Sequence, residues 1–329
     1  MPARPSTFSI AARDPETGAV GVAVQSKFVG VGAVVPFVSA DAGAVATQSF
    51  ANVAYGPDGL DLLREGRAPA EAIDRLTADD DEAPSRQVGI VGVDPDDSPA
   101  AFTGEECHDH AGDRQGDHYT VQGNILENAD TLDAMAEAFE ATDGGLPERL
   151  IAALHAGNGA GGDKRGEQAA ALYVAKPEGG YDGRNDRWVD VRVDDHERPI
   201  EELERVFKIY DVTLLEREAP DETRELTGEA AVSVQSSLAA LGFYDGEPTA
   251  EFGGDARDAL ESFRGMNNFE NHSLPVLEDA LARGWEGTGE SDGSADSGAS
   301  ATDPDASATD PETRLVDAIW RGLSRLDRV

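Results

Sequence analysis

The densest run of potential metal ligands in this chain is Cys107-His108-Asp109-His110, followed by Asp113, Asp117 and His118. Thiolate, imidazole and carboxylate groups of this kind can hold zinc or another transition metal. Their spacing fits no closed structural site, and a solvated loop rich in Gly, Asp and His accounts for them better, so no metal is expected. Asp194-Asp195-His196 sits between a strand pattern and a helix start. Two carboxylates beside a histidine suit acid–base work or a metal, but Asp194 or Asp195 capping the helix that opens near Pro199 is the favoured reading. Asp163 and Arg165 lie in a Gly-rich turn between a helix and a strand, where they could bind substrate or pair with each other. Thr47 and Gln48 end a segment of small residues and could line a pocket or simply pack. Lys27 stands out because the chain has only four lysines, with Lys164, Lys176 and Lys208.

These groups need elements to hold them. Phe8, Ile10 and Ala12 alternate, as do Val20, Val22 and Val24, and Arg13-Asp14-Pro15-Glu16-Thr17-Gly18 supplies a turn between them, which predicts a hairpin ending at Ser26-Lys27. Gly- and Ala-rich segments over 29–38 and 43–48 suit a sheet covered on both faces. Short helices are predicted over 57–64 and 69–76, and a second hairpin over 86–103. Amphipathic helices follow at 132–139 and around 150–154, the latter expected to stop at Gly157. Strands over 168–175 and 188–193 precede a helix opened by Pro199. Clustered helices and strands point to two stacked sheets between helical layers.

Composition narrows the function. Sixty-five acidic residues against 27 basic ones give a net charge of −38. Such a surface repels nucleic acid and anionic membranes. Together with the scarcity of lysine it reads as adaptation to high intracellular salt. Cys107 is the only cysteine, so no intramolecular disulfide can form, and neither an apolar leader nor an 18-residue apolar run is present. A cytoplasmic, soluble protein is expected.

Residues 7–210 carry Thr7-Phe8-Ser9-Ile10, Gly21-Val22-Ala23-Val24-Gln25-Ser26-Lys27-Phe28, Ala46-Thr47-Gln48, Arg86-Gln87-Val88-Gly89 and Thr103-Gly104-Glu105. Further along come Gln122-Gly123-Asn124-Ile125-Leu126, Gly161-Gly162-Asp163-Lys164-Arg165-Gly166 and Arg192-Val193-Asp194-Asp195-His196. In this order they resemble the domain-of-unknown-function family 1028, placed in the N-terminal-nucleophile hydrolase superfamily. The resemblance implies an α+β, four-layer αββα sandwich over residues 1–212, and a reaction in which one terminal residue is both nucleophile and base. A free α-amine with a pKa of about 7.7–8.0 can take the hydroxyl proton of its own Thr at neutral pH. On this reading Thr7 attacks, Lys27 keeps the amine pKa low, and Asn124 or backbone N–H groups receive the oxyanion. Ser26, Thr47, Gln48, Asp163, Arg165 and Asp195 are the substrate-binding candidates. The six residues before Thr7 would have to be removed to free the amine. Where this chain has Ala169 the family tends to carry Ser.

From about Thr213 the composition changes. Val234-Gln235-Ser236-Ser237-Leu238, Leu241-Gly242-Phe243-Tyr244-Asp245-Gly246 and Ala259-Leu260-Glu261-Ser262-Phe263 resemble a peptidoglycan-binding helical module, here assigned to 213–286. Residues 287–312 form an acidic linker with nothing to bury, and 313–329 an amphipathic helix expected to dock on an acidic surface of this protein or its twin. The resulting expectation is an amide-bond hydrolase of a small polar substrate, without cofactor and with no nucleic-acid or membrane partner. It would form a homo-oligomer through the sheet domain or the terminal helix. The alternative is a ligand-binding or scaffold protein that keeps the fold without the chemistry.

Overall fold

The computed structural model describes residues 7–108, 110–286, 310–326 and 328. The linker expected over 287–312 therefore lies almost wholly outside the described residues. Two units are distinguished, Met1–Val206 and Phe207–Val329.

In the first unit the expected hairpin forms from β1 (Thr7–Asp14) and β2 (Ala19–Ser26), in register from Thr7 opposite Ser26 to Asp14 opposite Ala19. There follow β3 (Pro36–Ser39), β4 (Gly43–Ser49), α1 (Tyr55–Arg64), α2 (Pro69–Ala78), β5 (Arg86–Gly92) and β6 (Ala100–Thr103). Next come β7 (His110–Gln115), β8 (Tyr119–Leu126), α3 (Asp130–Ala141), α4 (Leu146–Gly159), β9 (Ala169–Ala175) and β10 (Arg187–Val193). The strands make two antiparallel sheets, a six-stranded one in the order β10-β9-β2-β1-β8-β7 and a four-stranded one in the order β3-β4-β5-β6.

Strand alternation sorts the side chains. On one side of the four-stranded sheet Val45, Val88 and Ile90 pack with Tyr55 and Leu60 of α1 and Ile73 of α2. On its other side Ala44, Ala46 and Val91 join Ala11, Val22, Val24 and Ala171 of the six-stranded sheet, so the two sheets face each other. Helices α3 and α4 cover the far side of the six-stranded sheet. Gly157 does not end α4, contrary to the expected stop. It lies inside the helix, where the close approach of α3 and β1 requires a glycine: a Cβ there would stand 2.6 Å from Met135 Cγ and 3.4 Å from the Phe8 ring.

Two strands escape the sequence reading. The run expected as a loop through His110 and Asp113 is β7, and β8 follows it. β7 is an edge strand with no buried residue, and β8 carries Thr120, Gln122 and Asn124 buried on its inner face, so neither has the apolar alternation that announces a strand. Arg13, 2% exposed, closes the opposite end of β1. Its guanidinium donates to the carbonyls of Gly92, Asp94, Pro95, Asp97 and Asp117 and to His118 Nδ1, at 2.6–3.2 Å.

The second unit begins within α5 (Pro199–Leu214) and adds α6 (Gly228–Ala240), α7 (Gly254–Met266), α8 (Leu274–Gly284) and α9 (Pro311–Leu323). Asp310 caps α9 by accepting from Thr313 N at 3.0 Å. The terminal stripe is buried: Leu315, Ile319 and Leu323 are 0% exposed and join a core with Leu238, Leu260, Phe263 and Leu281. Contact between α8 and α9 is close enough that a Cβ on Gly322 would fall 2.1 Å from Ala280 O. Instead of an acidic surface patch, the helix meets one buried carboxylate. Asp211, 0% exposed, accepts from Arg217 (2.6 Å), Trp320 Nε1 (2.9 Å) and Arg328 (3.3 Å).

Candidate active site

Along β1 the odd-numbered side chains Thr7, Ser9 and Ala11 turn toward the gap between the sheets, while Phe8 turns toward α4. Near the start of the strand that gap is polar. Ser9 donates to Gln48 Oε1 at 2.6 Å, and Gln122 Nε2 donates to Ser9 Oγ at 2.6 Å. Gln48 Nε2 donates to Gln87 Oε1 at 2.8 Å, and Gln87 Nε2 to the Gly123 carbonyl at 2.8 Å. Burying an amide is costly unless it is bonded in this way, and the network locks four strands from both sheets around the first residue of β1.

Thr7 is 3% exposed, and its hydroxyl donates to Ser26 Oγ at 3.0 Å. Its carbonyl accepts from Gln48 Nε2 at 3.4 Å. On the other side β8 places Asn124 directly opposite Thr7, and Asn124 Nδ2 donates to Gln87 Oε1 at 3.0 Å. Four residues singled out in the sequence, Thr7, Ser26, Gln48 and Asn124, thus converge from three different strands of the six-stranded sheet and one of the other.

A cavity of about 280 Å³ opens beside Thr7. Phe28, Val31, Val34, Val35, Phe50 and Ala51 supply its apolar wall, and Thr7, Gln48, Ser49 and Arg86 its polar part. Ser49 has φ +70°, in the left-handed region that a non-glycine residue rarely enters and that recurs at functional sites. Arg86 does not reach into the cavity as a naked cation. It donates to Asp80 at 3.0 Å, to Glu82 at 2.5 Å and to the Phe50 carbonyl. That bond holds the Asp80 carboxyl well below the usual range, while burial and the bond to Asp80 push the Tyr55 phenol up. Cys107 Sγ lies 3.5 Å from Ser49 Oγ, and burial raises its thiol pKa, so it stays protonated.

The other candidates fall elsewhere. Lys27 is exposed, and its ammonium donates to the Glu167 carbonyl at 2.7 Å; it does not line the cavity with Thr7. Its backbone N–H is the part that is held, donating to Asp163 Oδ2 at 2.8 Å. Asp163 also takes Arg165 N at 2.8 Å and the Arg165 guanidinium at 3.0 Å, so the two form the internal pair rather than an open binding loop. Thr47 is fully buried, and its hydroxyl donates to the Asn52 carbonyl at 3.2 Å. Adjacent residues of a strand face opposite ways, so Thr47 cannot share the gap with Gln48. Asp195 is exposed and accepts from Gln168 at 3.0 Å, and His196 Nδ1 accepts from Arg198 N at 3.0 Å just before α5. Among the described members of the 107–118 run, Asp113 accepts from Thr103 at 3.0 Å and His118 from Arg13 at 3.2 Å; Asp109 lies outside the described residues. No group of three or more metal-ligating side chains occurs among the described residues.

The cavity residues Arg86, Ser49, Phe28 and Phe50 were not foreseen as site residues. The available signal was position: Phe28 follows Ser26-Lys27, and Ser49-Phe50 follow Thr47-Gln48, at the same ends of their strands.

Residues 7–203 match the model described as "Family of unknown function (DUF1028)", and residues 213–295 the model described as "Putative peptidoglycan binding domain". The crystal structure of protein SPO2555 from Silicibacter pomeroyi, itself assigned to DUF1028, is similar at 35% identity with a TM-score of 0.57. The likeness covers 63% of this chain and 89% of that one. No curated protein matches. No helix among the described residues is long and apolar enough to cross a membrane.

Proposed function

The chain belongs to the family of unknown function DUF1028, and since that membership assigns no chemistry, we propose one from the site: hydrolysis of an amide bond by Thr7 once the peptide preceding it has been removed. In this reading the sheets and their flanking helices are a four-layer αββα sandwich of the N-terminal-nucleophile hydrolase kind. The observation that carries the proposal is the placement of Thr7. A hydroxyl at the first position of a central strand is bonded to a second hydroxyl, stands opposite an amide and borders a cavity.

With the amine free, the Thr7 nitrogen takes the Oγ1 proton as Oγ1 attacks the carbonyl carbon. Asn124, opposite Thr7, receives the oxyanion. The C–N bond then breaks, the amine returns the proton to the leaving nitrogen, and water releases the acyl group from the Thr7 ester. Ser26 and Gln48 hold the nucleophile's hydroxyl and carbonyl. Asp163 fixes the end of β2 through the Lys27 N–H, so Lys27 acts by its backbone, and Arg165 neutralises Asp163.

Intact-mass measurement of the native protein tests this directly. A chain beginning at Thr7 with activity that disappears in Thr7→Ala and partly survives in Thr7→Ser is expected; an active Thr7→Ala variant would end the proposal. One observation favours a non-catalytic, ligand-binding reading: at least six residues precede Thr7, and while they remain attached there is no free amine. A native chain that retains them supports that reading. We also propose a cytoplasmic, salt-adapted protein whose second unit binds or oligomerises, with α9 as part of that unit.

A further inference from the structure

We propose that the cavity beside Thr7 is an acyl pocket and that the acyl group it takes is uncharged and apolar, about six to eight carbons long. The proposal rests on the amide-hydrolase reading for its chemistry but on the cavity walls for its specificity. It replaces the small polar substrate expected from the sequence.

Three observations carry it. The wall is built mainly from Phe28, Val31, Val34, Val35, Phe50 and Ala51, with Thr7, Gln48, Ser49 and Arg86 as its polar members. The single cation there is already matched by Asp80 and Glu82. A carboxylate on the acyl chain would therefore meet a lining whose one cation is already paired, beside the two carboxylates that pair it. Two of the wall residues, Phe28 (39% exposed) and Phe50 (36%), also stay partly open to solvent, in a chain whose surface is otherwise dominated by carboxylates. Partly solvated aromatic side chains lining a cavity suit an apolar ligand. At roughly 30 Å³ for each water-sized group, a cavity of about 280 Å³ accommodates a chain of the stated length.

The reaction balances as simple hydrolysis. The acyl carbon passes from the amide nitrogen to Thr7 Oγ1 and then to water oxygen, and the amine leaves with the proton first taken from Thr7.

Binding and turnover test the proposal separately. Calorimetric titration of the Thr7→Ala protein with butanamide, hexanamide and octanamide should show affinity rising about fourfold per methylene and levelling near eight carbons. Succinamate should bind at least tenfold more weakly than butanamide. Val34→Phe, which enlarges a half-buried wall residue without entering the core, should move the limit to shorter chains at an unchanged melting temperature. If that variant does not fold, Ala51→Leu serves the same purpose. With protein verified to begin at Thr7, kcat/KM for acyl 4-nitroanilides should follow the same length order. A flat binding series, or preference for succinamate, overturns the apolar pocket whatever the turnover. Length-dependent binding with no cleavage by the Thr7-initiated protein leaves the pocket standing and removes the hydrolase. Cleavage confined to acetyl or succinyl anilides and dependent on Thr7 keeps the hydrolase and removes the pocket.

Discussion

Replacing Asp211 should unlock the helical unit. Its carboxylate, 0% exposed, is held by Arg217, Trp320 and Arg328, whose side chains come from both ends of that unit's sequence. Arg217 is itself only 4% exposed and Arg328 11%. Asp211→Ala leaves two guanidinium groups buried together with no counter-charge. Removing one partner of a buried ion pair costs about 3–5 kcal/mol, a large part of a small domain's stability. Replacing the whole set with apolar residues, Asp211→Leu with Arg217→Met and Arg328→Met, should recover most of the loss, since a buried ion cluster is often no better than well-packed hydrocarbon. Trp285 and Trp320 both belong to that unit, so tryptophan fluorescence in a Trp188→Phe background reports its transition during urea unfolding, and Trp285 keeps the signal when Trp320 is replaced. A cycle between Asp211→Ala and Trp320→Phe should give a coupling of about 0.5–3 kcal/mol. A loss below about 1 kcal/mol for Asp211→Ala, or zero coupling to Trp320, would refute the claim that this carboxylate holds α9 in the core.

Other consequences follow from charge and burial. With a net charge of −38, the melting temperature should rise between roughly 0.1 and 2 M KCl as self-repulsion is screened; a flat or falling curve counts against salt adaptation. Burial lowers the pKa of His272, so the unfolded chain gains a proton below about pH 6.5 that the folded one resists. Stability should therefore fall as pH drops from about 6.5 toward the depressed folded value, more steeply than in His272→Phe; equal slopes would discount it. Asp163→Ala should lower kcat/KM by about 10- to 100-fold by releasing the end of β2, whereas Lys27→Ala should stay within about fivefold. The reverse order would return the electrostatic role to Lys27.

The sequence made the β1–β2 hairpin legible because Val20, Val22 and Val24 and their partners alternate cleanly around one turn. Thr7 opposite Ser26 follows from that register alone. β7 and β8 were hidden by the very feature that builds the site. Where the space between the sheets is filled by Gln48, Gln87, Gln122 and Asn124, inward-facing positions are polar and the period-two apolar signal vanishes. Lys27 shows a different limit. Sequence adjacency placed it beside Ser26, but the strand ends at Ser26, and beyond it only the fold decides which way a side chain points. Thr47 and Gln48 show that neighbours in sequence on a strand are opposites in space.

Arg13 gives the reactive strand an unusual boundary condition. Five carbonyls and an imidazole converge on its guanidinium, much as oxygen ligands gather round a hard metal ion. Unlike an ion, this cation is part of β1 and cannot exchange with the solvent, whatever the salt. β1 is in effect a cantilever, clamped by Arg13 at one end and offering Thr7 at the other, with five residues between them. Recoil of the attacking oxygen along the strand would have to pull the clamp through both hairpin loops. Chemistry at Thr7 therefore works against a rigid mount, and a substitution at Arg13, far from the cavity, should blur the position of the nucleophile before it unfolds the chain.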